Sequence, residues 1–128
     1  MGTRSLTFVY EGDKPFVNMY RQFDGYISGH GRDLAEFLLS GKMVNGIPVG
    51  KKEVFFNGMG CLAAQMIAMF KKESGGFYLY PVDATDCWQE YEYHIYEDKV
   101  VVKNPYEVIF SGTWNDFHSF CYQEETEE

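Results

Sequence analysis

Positive charge is scarce in this chain. Eleven Lys and Arg face 19 Asp and Glu, so the formal net charge is −8. Proteins that bind nucleic acid in general neutralise phosphates with many cations along a basic stripe. Here the longest basic runs are Lys51-Lys52 and Lys71-Lys72, and general nucleic-acid binding is excluded. Cysteine is also rare: Cys61, Cys87 and Cys121 form no CxxC pair and leave an odd count. That argues against a disulfide framework and for a reducing compartment. No long hydrophobic run is present. The longest helical apolar stretch, Met59 to Phe70, is too short to span a bilayer, and no membrane association is expected. Residues Met1 to Ser5 lack the apolar core of a signal peptide. Gly2 followed by Leu6 matches a myristoylation start only in part, because Ser or Thr belongs at position 6. The expected location is the cytoplasm.

Familiar catalytic patterns are missing too. There is no HExxH, P-loop or GxSxG, and Gly29-x-Gly31 lacks the third glycine of a dinucleotide fingerprint. His30, His94 and His118 fall on three separate elements with no metal-ligand spacing. Neither a metal nor a cofactor is expected.

What the chain has in quantity is aromatic surface: 11 Phe, 10 Tyr and 2 Trp in 128 residues. The length fits one domain, predicted over 1–122, with an acidic solvated tail at 123–128. Leu6, Phe8 and Tyr10 alternate with Ser5, Thr7 and Val9, which predicts a strand. The turn Glu11 to Pro15 leads to an antiparallel strand over Phe16–Gln22. A glycine-rich loop, Asp24 to Gly31, precedes a helix over Arg32–Leu39 that ends at Ser40-Gly41. Lys42 to Glu53 reads as an irregular connection. A second helix is predicted from Cys61 to Lys72, apolar almost all round, and therefore central in the core or packed between subunits. Homo-oligomerisation through Leu62, Met66 and Met69 is expected. Strands follow at Phe77–Pro81, Glu90–Tyr96, Lys99–Lys103 and Tyr106–Ser111, the last three as a meander. Thr113 and Asp116 have the spacing of a helix N-cap and its capping box. The predicted fold is α+β: an antiparallel sheet, made of an N-terminal hairpin and a C-terminal meander, packed by two central helices and a short C-terminal one.

The segment from Tyr20 to Arg32 is the strongest candidate for chemistry. Glycines let backbone N–H groups approach a ligand, and a helix N-terminus attracts anions. Arg21 and Arg32 suit phosphate or carboxylate. Tyr20 and Tyr26 suit stacking, Asp24 suits accepting from a ribose hydroxyl or a base amine, and Gln22 and His30 belong to the same segment. Asn57, ahead of Gly58-Met59-Gly60, marks a second glycine-lined helix start. The expected ligand is a small anion of nucleotide type, bound rather than turned over. Two alternatives stand beside it. One is an enzyme acting on a nucleotide through His30 and Asp24, or through Cys61 activated at its helix start by His30. The other is an inhibitor that binds a host protein with an acidic, tyrosine-rich surface.

The opening Thr3-Arg4-Ser5, the run Tyr20-Arg21-Gln22-Phe23-Asp24-Gly25-Tyr26 with Gly29-His30-Gly31, and Phe56 to Gly60 with Gly75 to Tyr80 resemble a family of small, largely uncharacterised proteins of bacteriophages and other large DNA viruses. The resemblance covers most of the chain. It carries no catalytic residue, because no activity is established for those proteins. It implies a viral protein acting in the host cytoplasm, with sequestration of a nucleotide defence signal as one expected role.

Overall fold

The structure is a computed structural model, and it describes residues 2–44 and 55–123. Among the described residues the chain folds as a small α+β domain with a mostly antiparallel six-stranded sheet and three α-helices. Strand β1 (Ser5–Glu11) and β2 (Lys14–Arg21) form the predicted hairpin. Helix α1 is Arg32–Leu39. Strands β3 (Lys42–Val44) and β4 (Phe55–Asn57) pair as a separate two-stranded sheet. Helix α2 is Gly58–Phe70 and β5 is Phe77–Leu79. Strands β6 (Tyr91–Ile95), β7 (Val100–Lys103) and β8 (Val108–Gly112) make the predicted meander, and α3 is Trp114–Gln123.

Hairpin and meander are joined by the pairing of β1 with β6, which is parallel, with Ser5 beside Tyr91 and Val9 beside Ile95. The sheet order is therefore β5-β2-β1-β6-β7-β8. The predicted antiparallel sheet of hairpin and meander is present, with one parallel seam where the two meet. The physical reason is that β1 is central: it is covered on both faces, Val9 by the helices, Leu6 and Phe8 by the other side. A strand buried on both faces can accept a partner in either direction once its hairpin has closed one edge. On the helix side, Met19, Tyr93, Ile95 and Val102 pack against Leu34, Leu38, Leu62, Met66 and Phe117. Fully burying one such aliphatic or aromatic side chain is worth roughly 1.5–3 kcal/mol, so this layer holds the helices on the sheet.

Several expectations change in detail. Lys42–Val44 is a short parallel strand rather than irregular chain, while 45–54 lies outside the described residues. Helix α2 begins at Gly58, three residues before Cys61, and ends at Phe70. One side of α2 is core: Leu62 and Met66 are buried within the chain itself, so neither belongs to a subunit interface. Of the three residues expected there, only Met69 is exposed. The glycine-rich loop contains a single π-helical turn, Ile27–Gly31, that runs straight into α1. Gln123 completes α3 instead of opening the tail, and 124–128 is outside the described residues. The capping of α3 is as expected: the Asp116 N–H donates to Thr113 Oγ1 at 3.1 Å.

Candidate functional site

The Tyr20–Arg32 segment uses its polar side chains internally. Arg21 and Tyr20 are neighbours on β2, so they point to opposite faces of the sheet. Tyr20 is buried on the far face, where its hydroxyl accepts from Arg4 Nε at 3.0 Å and its ring stacks on Tyr80. Arg21 lies on the helix face. Its Nη1 donates to His30 Nδ1 at 3.1 Å and to Asp33 Oδ2 at 3.1 Å, and its guanidinium sits over the Phe77 ring.

His30 is completely buried, edge-on to Tyr93 and against Phe70. Because Nδ1 accepts from Arg21, the ring proton is assigned to Nε2, which donates to Thr7 Oγ1 at 2.7 Å. Desolvation, reinforced by the Arg21 charge, holds the imidazole pKa down to about 3. This histidine is a neutral structural group at physiological pH.

The other members are also placed. Arg32 points away from the glycine loop: Nε donates to the Cys121 carbonyl at 3.1 Å, and the guanidinium covers the Tyr122 ring. It thereby satisfies one of the last carbonyls of α3, where a cation is favourable. Asp24 is exposed with φ of 62°, and its Oδ1 accepts from the Tyr26 hydroxyl at 3.1 Å. Gln22 donates its backbone N–H to the Gly76 carbonyl at 2.8 Å. Asn57 stands at the end of β4 ahead of α2, on the separate small sheet. None of these eight lines the groove beside Trp88 described below.

The pairing of Cys61 with His30 is corrected. His30 meets Phe70 at the C-terminal end of α2, nine residues from Cys61, which is about 13 Å along a helix axis at 1.5 Å per residue. The Cys61 thiol instead donates to Gln65 Oε1 at 2.8 Å. His30 with Asp24 fares no better as an acid–base pair. The ring is buried, and its backbone N–H, not its imidazole, meets Asp24, at the carbonyl (2.8 Å).

A groove of about 380 Å³ lies elsewhere, between the loop ahead of β6 and the β7–β8 connection. Asp86, Trp88, Glu90, Glu92 and Lys103 are among its lining residues. Trp88 is 83% exposed and has φ of 60°. Nearby, two residues beyond Asn104 on the same connection, Tyr106 is 91% exposed. Glu92 is held on both oxygens: His94 Nε2 donates to Oε1 at 3.0 Å and Gln89 Nε2 to Oε2 at 2.9 Å. The His94 hydrogen bond leads the influences that lower the Glu92 pKa, ahead of Gln89 and nearby Lys103. Gln89 also ties down the loop, donating to the Thr85 carbonyl at 2.8 Å and accepting the Cys87 N–H at 2.9 Å.

The groove is not visible in the sequence because its lining joins two stretches, Thr85 to Glu92 and Lys103 to Pro105, that meet only in the fold. One signal was available: a tryptophan inside the polar run Asp86-Cys87-Trp88-Gln89-Glu90. Compared with models of known families, with curated proteins and with solved structures, the chain matches none. The likeness to viral proteins therefore rests on the quoted motifs alone. Among the described residues, no helix is long and apolar enough to cross a membrane, and no cluster of three potential metal ligands occurs.

Proposed function

We propose that this chain is a binding protein whose acidic, aromatic-rimmed groove takes a basic segment of a partner protein, an arginine or lysine side chain entering beside Trp88. The observation that carries the reading is Trp88 itself. A non-glycine residue in the left-handed region costs on the order of 1–2 kcal/mol, and an exposed indole recovers none of that by burial. Backbone strain combined with an exposed large ring is the signature of a group kept for contact with something else. The lining supports a positively charged partner: Asp86, Glu90 and Glu92 outnumber Lys103, and an indole face attracts a cation. With the viral resemblance, the partner is a host protein and the effect is occlusion of its basic surface.

The rival proposal, a nucleotide-like anion at Tyr20–Arg32, has weaker support. Arg21 and Arg32 already hold internal acceptors, Tyr20 is on the other face, and His30 has no path to solvent. An enzyme reading is left with exposed Asp24 and no accessible imidazole beside it, because His30 is buried.

The test is fluorescence anisotropy with a labelled octa-arginine peptide. Any protein of charge −8 attracts a polycation, so the comparison is between sites. Trp88→Ala is expected to weaken binding about tenfold. The charge control, Glu11→Gln with Asp13→Asn on the β1–β2 turn, is expected to weaken it far less. Equal affinity of Trp88→Ala and the unaltered protein would overturn the reading. A nucleotide recovered at fixed stoichiometry from the purified protein would favour the rival.

A further inference from the structure

We infer that His94 is the positioning residue of the groove: it aims the Glu92 carboxylate while itself staying out of contact with the bound partner. The inference rests on the groove reading above and adds how one of its walls is set. His94 is nearly buried on the sheet face away from the helices, and its ring stacks on Phe8 with centroids 4.8 Å apart and planes 9° from parallel. Stacking fixes the ring plane. The ring's rotation within that plane is fixed at both ends. Tyr10 Oη lies 2.7 Å from Nδ1, and Glu92 Oε1 lies 3.0 Å from Nε2. Because a carboxylate only accepts, Nε2 carries a proton. Tyr10 is immobilised in turn by stacking on Tyr96, with centroids 4.2 Å apart.

His94 and Glu92 alternate along β6 and so share a face. The chain Tyr10–His94–Glu92–Gln89 thus runs from β1, across β6, into the loop that carries Trp88. Without His94, the carboxylate keeps Gln89 and its cross-strand neighbour Lys103. Rotation toward Lys103 then cancels negative charge that the groove would present to a cation. His94 does not line this groove, and its hydrogen bond to Glu92 is the route by which it acts on the lining.

The experiment pairs a readout in the free protein with one in the complex. Carboxylate carbon resonances give the titration of Glu92 without ligand, and octa-arginine anisotropy gives the affinity. His94→Phe keeps a stacking ring and removes the donor. His94→Gln places an amide N–H near Nε2, and His94→Met supplies a donorless variant should phenylalanine unfold the chain. The expected result has three parts. Glu92 titrates higher in the donorless variant, peptide affinity falls about fivefold, and His94→Gln restores both. An unchanged Glu92 titration in the donorless variant overturns the inference. So does a His94→Gln protein that behaves like the donorless one, because the role is then packing alone. A Glu92 that moves while neither His94→Phe nor Trp88→Ala alters peptide affinity leaves the positioning intact and sinks the groove reading instead.

Discussion

Buried His30 makes this protein sensitive to acid, and the size of the effect follows from one shift. In the unfolded chain the imidazole takes a proton below its ordinary pKa of 6.5, whereas in the fold it stays neutral down to about 3. Between those values the unfolded state binds more protons, so stability rises with pH and falls on acidification. The loss is small at pH 7.5, about 2 kcal/mol at pH 5, and on the order of 3 kcal/mol at pH 4 by linkage at 1.36 kcal/mol per unit. All three neighbours oppose charging: Phe70 and Tyr93 are packed rings that exclude water, and Arg21 is a cation. His30→Gln removes the titration and retains an N–H for Thr7. The assay is urea unfolding of both proteins at pH 7.5 and pH 5, each stability extrapolated to water. His94 and His118 are present in both chains, so the difference of differences isolates His30. The unaltered protein is expected to lose about 2 kcal/mol more than His30→Gln across that interval. Equal losses would show that His30 is already accessible to protons in the fold, and the buried-network picture would fail.

The remaining expectations concern single contacts. Tyr93→Phe removes a buried hydroxyl that donates to the Gly25 carbonyl at 2.7 Å, and denaturant unfolding should register a loss of about 1–2 kcal/mol. No loss would mean that water replaces the donor. Thr113→Ala should cost about 1 kcal/mol at the start of α3, with helix content read by circular dichroism, and an unaltered midpoint would refute the cap. Gly25→Ala should destabilise by roughly 1–3 kcal/mol, since a Cβ there would stand 2.8 Å from Ser5 Cβ and 2.8 Å from the Thr3 carbonyl oxygen. Trp88→Gly should leave stability level or raise it by about 1 kcal/mol by relieving the left-handed backbone, and marked destabilisation would show that the indole is a packing group after all.

Local pattern recovered local structure. The β1–β2 hairpin, the β6–β7–β8 meander and the Thr113 cap each depend on pairs of residues close in sequence, from Thr113 and Asp116 to Ser5 and Arg21, and each is present. The parallel β1–β6 seam joins residues more than 80 positions apart. Its partner choice is made by burial on both faces of β1, and alternation in one strand carries no record of direction. The three-residue strands β3 and β4 support each other across the intervening chain and have no periodicity of their own to read. For α2, composition was informative about apolarity but not about sidedness. Leu62 and Met66 turn inward because α2 packs against β1 and β4 and joins the core on that side.

The glycine motif was legible as a pattern, and its spacing has a packing reason of its own. Gly25 is glycine because the chain around Thr3 to Ser5 passes too close for a side chain. At Gly29, a Cβ would lie 2.5 Å from the Asp24 carbonyl oxygen. These are packing requirements, and they give the spacing D-G-Y-x-x-G without any ligand. Arginines beside such glycines look free in a sequence because their acceptors are remote: Asp33 lies one π-turn further on, and the Cys121 carbonyl is 89 residues from Arg32. Trp88 is the reverse case. Its neighbours in sequence are polar and unremarked, and what distinguishes it is a backbone angle and an uncovered ring, both visible only in the fold. A cation-binding surface at Trp88 and an anion-binding surface at Arg21 make opposite demands on charge, and in this chain the free charge lies on the acidic side.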